Sequence, residues 1–322
     1  MTNQIATTPT FSPRMSTHAA RLFFMTAAEA YQKIRSLLLD SGWSLPRARL
    51  EARLLLDDAC QMRYAHLLQP DRVLDADASN ALMQACMELR RGQPLAYLTK
   101  SREFFGLPFR CDRRALIPRH ETETLVEAAV ARLQKNARPL LDDAGVLVAD
   151  LGTGSGCIAV SIAHALLQAV VYATDASGDA LDLARENARV NGVANRIEWV
   201  HGETASWGAP LVREGFGAMF DAVLSNPPYI SQAEIETLPP QIREWEPRLA
   251  LDGGTDGLDC YRDIAASCPV LLKPDGFLMV ELGMGQFASV HGIFEALGWN
   301  VEAPLRDLAG IERVLVATTK PF

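Results

Sequence analysis

Long hydrophobic runs are missing from this 322-residue chain. No apolar stretch approaches the roughly 18 residues that a membrane-crossing helix needs, so none is indicated. Paired cysteines are missing too: Cys60, Cys86, Cys111, Cys157, Cys260 and Cys268 are scattered with no C-x-x-C. The six histidines are as widely dispersed, so no zinc spacing can be defended and no metal is expected. The bland reading is taken, that of reduced, mostly buried thiols in a cytoplasmic protein. Internal repeats and long low-complexity runs are also lacking. No acidic residue precedes Glu29, and residues 1–25 are rich in Thr, Ser and Pro. That composition fits a mitochondrial-type transit segment, a disordered tail, or an artefact of an upstream start codon, since Met15 and Met25 are alternative starts. The two duller options are preferred, and residues 1–25 are expected to be a dispensable tail.

Excess positive charge is lacking where a nucleic-acid enzyme would carry it. The net charge of −8 hides an asymmetry. Residues 26–119 hold 15 Lys/Arg against 11 Asp/Glu, whereas residues 120–322 hold 14 against 28. An acidic lobe suits a DNA backbone poorly, because Lys/Arg neutralisation supplies most of that affinity. No direct nucleic-acid binding is expected. The mildly basic front lobe could steer a folded protein substrate, and an ordinary solvated surface explains it equally well.

The length suggests two domains. Thr26-Ala27-Ala28-Glu29 is a capping-box pattern opening a helix on which Ala27, Tyr31, Ile34 and Leu38 follow the helical period. Residues 44–60 form a second helix with Leu50, Leu54 and Leu55 on one face, and residues 79–91 a third, stopped by Gly92 and Pro94. Residues 95–98 and 103–111 read as a hairpin around 100–102. From about Pro118 the rhythm becomes βα. Strands are expected at 145–151, 169–174, 196–200, 220–224, 276–282, from Val301 and at 313–318, with helices at 157–167, 177–190, 261–272 and 287–297. Such alternation predicts an α/β domain with a mostly parallel sheet covered on both faces.

Two motifs carry chemistry. Asn226-Pro227-Pro228-Tyr229 follows an apolar run and reads as a rigid acceptor cup at a strand end. The prolines fix φ and carry no N–H, so carbonyls there face a ligand without a competing donor. The Asn226 amide oxygen and the Pro227 carbonyl could each accept one N–H of a planar –NH₂ group, with Tyr229 as a flat wall. A Pro-Pro turn closing a strand is the alternative. The second motif, Gly152-Thr153-Gly154-Ser155-Gly156, lies between a strand and a helix, the front half of a doubly wound nucleotide site. Asp175 stands about 20 residues on, where such sites hold ribose hydroxyls. The spacing is G-x-G-x-G, and Asp150 just before it argues against a bound dianion. A carboxylate there suits a cation, such as the amino or sulfonium side of S-adenosylmethionine.

Together, residues 150–156 and 225–230 resemble the HemK/PrmC family, the S-adenosylmethionine-dependent glutamine methyltransferases of peptide chain release factors. Residues 90–98, 104–106, 116–123, 246–258 and 306–314 agree with the same family, and the resemblance covers roughly residues 26–320. It implies an N-terminal helical substrate-recognition domain at 26–92, a β-hairpin linker at 93–118 and, at 119–322, a class I (Rossmann-like) methyltransferase domain whose last strand is inserted antiparallel. The implied cofactor is S-adenosylmethionine, held by Asp150, the 152–156 loop, Asp175, Glu203, Trp207 and Asn226. The implied substrate is the Gly-Gly-Gln glutamine of class I release factors, held by Asn226, Pro227, Pro228 and Tyr229, and the protein is expected to act as a monomer. Two departures stand out: His120 replaces a usual proline, and Glu203-Thr204 replaces an Asp and often an aromatic residue beside the adenine. Trp207 would then supply the aromatic wall.

An amide nitrogen is a poor nucleophile because its lone pair is delocalised. Catalysis then rests on orienting the –NH₂ and stabilising positive charge as the lone pair localises. Asn226 and Pro227 are the expected acceptors, Tyr229 a packing wall and cation–π partner, and no general base is assigned. His120, Glu121 and Glu123 are charged neighbours whose role is equally well explained as helix-start chemistry. The nearest alternative is a glutamine methyltransferase of a large-subunit ribosomal protein, against which the 116–123 and 306–314 segments stand. A DNA adenine amino-methyltransferase should bring a basic target-recognition domain. A nicotinamide oxidoreductase is disfavoured by the glycine spacing, and a non-catalytic binding protein would not need Asp150, Asp175 and Asn226 together.

Overall fold

The computed structural model describes residues 24–136, 145–202 and 207–319. They form two compact units divided between Arg90 and Arg91.

The first unit is helical. Thr26 closes the capping box: its hydroxyl accepts from the Glu29 N–H at 3.2 Å and its own N–H donates to Glu29 Oε2 at 2.8 Å. Helix Ala27–Asp40 buries Ala27, Ala30, Ile34 and Leu38, and Leu45–Cys60 follows it. Here the expected face is corrected. Leu50 is 48% exposed and Leu54 half-buried, whereas Leu55 is buried as expected and shares the covered face with Ala48, Ala52 and Leu56. Alanines let helices approach closely, so small residues rather than the largest apolar ones mark the contact. Ala65–Leu68 is a single turn, and Ala76–Arg90 begins earlier than expected because Asp75 accepts the Ala78 N–H at 2.8 Å. Two short strands, β1 (Met25–Thr26) and β2 (Val73–Leu74), pair antiparallel.

The second unit begins at Arg91. Residues Leu95–Leu98 form a helical turn after Pro94, not a strand. The hairpin is β3 (Ser101–Phe104) with β4 (Leu107–Arg110), turning at Phe105 and Gly106. Both turn residues have positive φ, 52° and 71°, the geometry that two-residue hairpin loops prefer. The main sheet contains β5 (Val146–Leu151), β6 (Ala169–Asp175), β7 (Ile197–His201), β8 (Phe220–Ser225), β9 (Leu272–Glu281), β10 (Trp299–Val301), β11 (Leu305–Arg306) and β12 (Glu312–Thr319). Its order is β10-β12-β9-β8-β5-β6-β7, with β11 on β12. The pairs from β9 through β7 are parallel, and β12 runs antiparallel between β9 and β10.

Alternate residues serve opposite faces of this sheet, as the period-two pleat requires. Val148, Ala222, Leu224, Phe277, Met279, Val314 and Val316 pack on one side with Leu125, Ala129, Ile158, Ile162 and Ala188. Ala149, Leu151, Val223, Leu278, Val280 and Leu315 pack on the other with Tyr261, Ile264, Val290 and Phe294. Helix Asp259–Ser267 ends before the expected 272, since Pro269 supplies no N–H to continue it. The chain reverses order between β5 and β8, creating the crevice where ligands of doubly wound sheets sit.

Candidate active site

The carboxyl ends of four neighbouring strands meet at that crevice. Leu151 pairs with Thr174 and with Ser225, and Ser225 pairs with Val280. The glycine loop, Asp175, Asn226 and Glu281 therefore share one edge. A cavity of about 380 Å³ opens there, lined by Gly152, Thr153, Gly154, Ser155, Asp175, Trp207, Asn226 and Pro228 among others. Its size suits a small-molecule site. A second cavity of about 160 Å³ is lined by Asn226, Pro227, Tyr229, Leu116, Arg119 and Leu251 among others. Asn226 lines both.

The loop is held from beneath. Asp150 is fully buried, and its Oδ2 accepts from the Thr153 hydroxyl at 2.6 Å and the Ala159 N–H at 3.0 Å. Burial pushes its carboxyl up to about 7, against those two hydrogen bonds. Asp175 holds the loop from the side: Oδ2 takes the Gly154 N–H and Oδ1 the Ser177 N–H, each at 2.8 Å. Burial raises its carboxyl as well. Gly152 has φ +70°, and a Cβ there would lie 2.5 Å from Cζ3 of Trp207. Only glycine lets the indole lie against the loop. The backbone N–H of Trp207 donates to Asp263 Oδ2 at 2.6 Å.

The Asn-Pro-Pro-Tyr segment is clamped from three directions. The Asn226 amide nitrogen donates to the Thr122 hydroxyl at 3.0 Å. The Tyr229 carbonyl accepts from Gln286 Nε2 at 2.8 Å, and Ile230 exchanges backbone bonds with Leu251 and Gly253 at 3.1 and 2.9 Å. A Cβ on Gly253 would meet the Pro228 carbonyl at 2.8 Å. The preceding linker is fixed by buried Glu246, which takes the Ile117 N–H at 3.1 Å and pairs with Arg119 at 2.5 Å. Glu123 accepts from the Phe105 N–H at 2.9 Å and pairs with His120 at 3.2 Å, tying the hairpin turn to helix Glu121–Asn136.

Residues 29–99 match the PrmC N-terminal domain, and residues 126–241 the methyltransferase small domain. A release factor glutamine methyltransferase of Moorella thermoacetica is 42% identical over 84% of this chain and 91% of its own length. The chain belongs to the release factor glutamine methyltransferase family. A second relative of that description, from Geobacter sulfurreducens, is 39% identical over 87% of this chain and 92% of its own length. Among solved structures, the hMettl16 catalytic domain in complex with MAT2A 3'UTR hairpin 6 superposes with a TM-score of 0.52 at 15% identity, covering 78% of this chain and 86% of its own. That likeness concerns the fold alone. The protein is an S-adenosylmethionine-dependent class I methyltransferase.

The cavity fits that cofactor. Each Asp175 oxygen accepts one backbone N–H and retains a lone pair for a further donor. Trp207 presents the flat face of its indole over a loop kept bare by Gly152. Of the residues expected to hold the cofactor, Gly152, Thr153, Gly154, Ser155, Asp175, Trp207 and Asn226 line one cavity. Asp150 lies one layer below as the loop's anchor. Gly156 is a packing position, where a Cβ would stand 3.0 Å from Ala184 Cβ. Glu203 lies outside the described residues, as does most of the 1–25 segment. Thr122 and Glu281 carry no role in the sequence reading. Glu281 is the last residue of an apolar strand and Asp150 the last but one of another, and an acid at the end of an apolar run was the available signal. Among the described residues no group of His, Cys, Asp and Glu could hold a metal ion, and no helix is long and apolar enough to cross a membrane.

Proposed function

We propose that this protein methylates the side-chain amide nitrogen of a glutamine in class I peptide chain release factors, the glutamine of their Gly-Gly-Gln motif. The observation that carries this reading is Asn226, which lines both cavities while its amide nitrogen is engaged by Thr122. Its oxygen is thereby left to accept an N–H from an acceptor amide. The relatives' description names the same substrate class.

When bound, S-adenosylmethionine supplies an electrophilic methyl group on a sulfonium. Gly152–Ser155, Asp175 and Trp207 bind and orient it in the larger cavity. The smaller cavity takes the glutamine side chain between Leu116, Tyr229 and Leu251. Asn226 Oδ1 and the Pro227 carbonyl accept the two amide hydrogens. As the N–CH₃ bond forms and the S–CH₃ bond breaks, positive charge grows on the nitrogen, and these acceptors stabilise it more than they stabilise the resting amide; one N–H proton then leaves to water, giving the neutral methylamide. Pro227 and Pro228 hold the carbonyls in place without offering a competing N–H. Tyr229 walls the slot; burial pushes its hydroxyl above its ordinary range, so it stays neutral and is no base at physiological pH. The helical unit is the substrate-recognition part of this reading. The protein works as a cytoplasmic monomer without engaging nucleic acid directly.

Incubation of the protein with a release factor and labelled S-adenosylmethionine, followed by peptide mass spectrometry, tests this. One added methyl on the Gly-Gly-Gln glutamine is expected. Label found only on a ribosomal protein or on DNA would overturn the reading.

A further inference from the structure

The cup around the acceptor amide has oxygens to offer and little else. Asn226 gives its amide nitrogen to the Thr122 hydroxyl at 3.0 Å, and Tyr229 gives its hydroxyl hydrogen to Glu281 Oε1 at 3.4 Å. Pro227 has no N–H. A glutamine side chain brings two N–H groups and one carbonyl oxygen. The Asn226 and Pro227 oxygens meet the N–H groups, but the carbonyl oxygen finds no donor in that cup. Buried without one, it would bear the full cost of its lost hydration.

Arg119 is the remaining donor among the side chains lining the smaller cavity, and it lines the larger cavity too. It therefore stands where the cofactor and acceptor spaces meet. A guanidinium carries five N–H donors in a planar fork. Among the described residues, the bond from Nη2 to Glu246 Oε1 at 2.5 Å is the one that Arg119 makes through its side chain. Glu246 is itself fixed: its side chain is 2% exposed, and its Oε2 takes the Ile117 N–H at 3.1 Å. The fork is thus held at one point, and donors remain for a ligand.

The pairing with Glu246 also says which ligand suits. A bare guanidinium would oppose the positive charge that arrives with the sulfonium and grows on the nitrogen. Paired with a buried carboxylate, it keeps directional donors while its charge is largely offset. A second anion, such as the cofactor's own carboxylate, would face Glu246 across the fork. A neutral carbonyl oxygen would not.

We propose that Arg119 is a specificity-determining residue: its free N–H groups hold the side-chain carbonyl oxygen of the acceptor glutamine. The two ends of a primary amide are nearly the same size, so shape alone does not tell them apart. Donors for one end and acceptors for the other do. In the reversed sense, N–H groups would meet the N–H groups of Arg119, oxygen would meet the Asn226 and Pro227 oxygens, and no nitrogen would face the methyl group. The inference rests on the reading that this slot receives a glutamine amide, and it goes further in assigning the donor half of its recognition.

The test is a double-mutant cycle across the complex. The full-length protein, with S-adenosylhomocysteine bound, is titrated by calorimetry with a release factor and with the same factor carrying Ala in place of the acceptor glutamine. Wild type is compared with Arg119→Lys, Arg119→Met and the double variant Arg119→Met/Glu246→Gln, which leaves no buried carboxylate without its partner. Arg119→Met should weaken the glutamine factor by about 10- to 100-fold, the scale of one hydrogen bond from a charged donor. The alanine factor should weaken by less than about threefold. The double variant should show the same difference, and Arg119→Lys, which keeps a charge and N–H groups, should recover part of it. The kcat/KM for methylation should fall in step, with S-adenosylmethionine affinity staying within about twofold. Equal losses for the two factors, with wild type active, overturn the role of Arg119 alone, because a contact that merely holds the linker acts on both alike. Weaker cofactor binding with no difference between the factors overturns it too, and gives the guanidinium to the cofactor's carboxylate. A wild type that leaves the glutamine factor unmethylated would instead remove the reading on which the inference rests. Should Arg119→Met fail to fold, the double variant carries the same comparison, equal losses again being the overturning result.

Discussion

The side chain of Asn187, inside helix Gly178–Val190, donates to the Ser155 carbonyl at 2.9 Å. The same amide exchanges hydrogen bonds with the backbone of Arg110, accepting at 2.7 Å and donating at 3.2 Å. One fully buried side chain thus joins the glycine loop, the hairpin and a helix. Asn187→Ala leaves these backbone groups without partners, each at about 1–3 kcal/mol. We expect a loss of about 2–4 kcal/mol in urea unfolding, with weaker cofactor binding by calorimetry. A variant as stable as wild type would show that the three elements are held together by other contacts.

Gly152→Ala should be damaging for two separate reasons. Its φ of +70° disfavours any side chain, and the new methyl would drive into the Trp207 ring. The indole must move, so cofactor affinity should fall at least about tenfold, by displacement of the aromatic wall. Tryptophan fluorescence and calorimetry report the two effects independently. Unchanged affinity would remove Trp207 from the adenine site.

Asn226→Ala should cut kcat by about 10²–10³, the scale for one preorganised electrostatic partner, with cofactor affinity changing far less. Asn226→Asp keeps an acceptor oxygen but loses the –NH₂ that Thr122 receives, so some residual rate is expected. Near-normal turnover by both would return the segment to an ordinary turn.

Asp150 makes stability depend on pH in a direction unlike that of most carboxylates. Its folded value near 7 lies above the roughly 3.9 of an unfolded Asp. Between these values the folded chain holds a proton that the unfolded chain has released, so stability falls as pH rises through that window. Asp150→Asn should show a smaller loss than wild type in urea midpoints taken at about pH 5 and about pH 8. Equal slopes would mean that the carboxyl is ionised throughout.

The order of strands and helices in the second unit is legible because each carries its own period and its own stop. Gly145, Gly152 and Pro269 mark boundaries by backbone chemistry that acts locally. The helical faces of the first unit are less legible: Leu50 is apolar yet exposed, while Ala48 and Ala52 are buried. Apolar weight says what can be buried, not which side a neighbour will occupy. The 95–98 segment shows the same limit, since Leu-Ala-Tyr-Leu is apolar enough for a strand and Pro94 with its own carbonyl starts a helical turn.

By themselves, the residues determined a glycine loop after one strand, an acid after the next, and a proline-stiffened acceptor after a third. Each is written within a few consecutive positions and needs no distant partner to be recognised. Only the tertiary structure decided which of these groups face the cavity and which lie beneath it. Asp150 and Asp175 both stand near the ends of apolar strands, but one carboxylate anchors the loop from below and the other reaches the cavity. Thr122 and Asn226 stand about a hundred residues apart in the chain, and they meet because the fold lays the first turn of helix Glu121–Asn136 against the end of β8. No stretch of consecutive residues contains both partners of such a bond, so the sequence alone does not pair them.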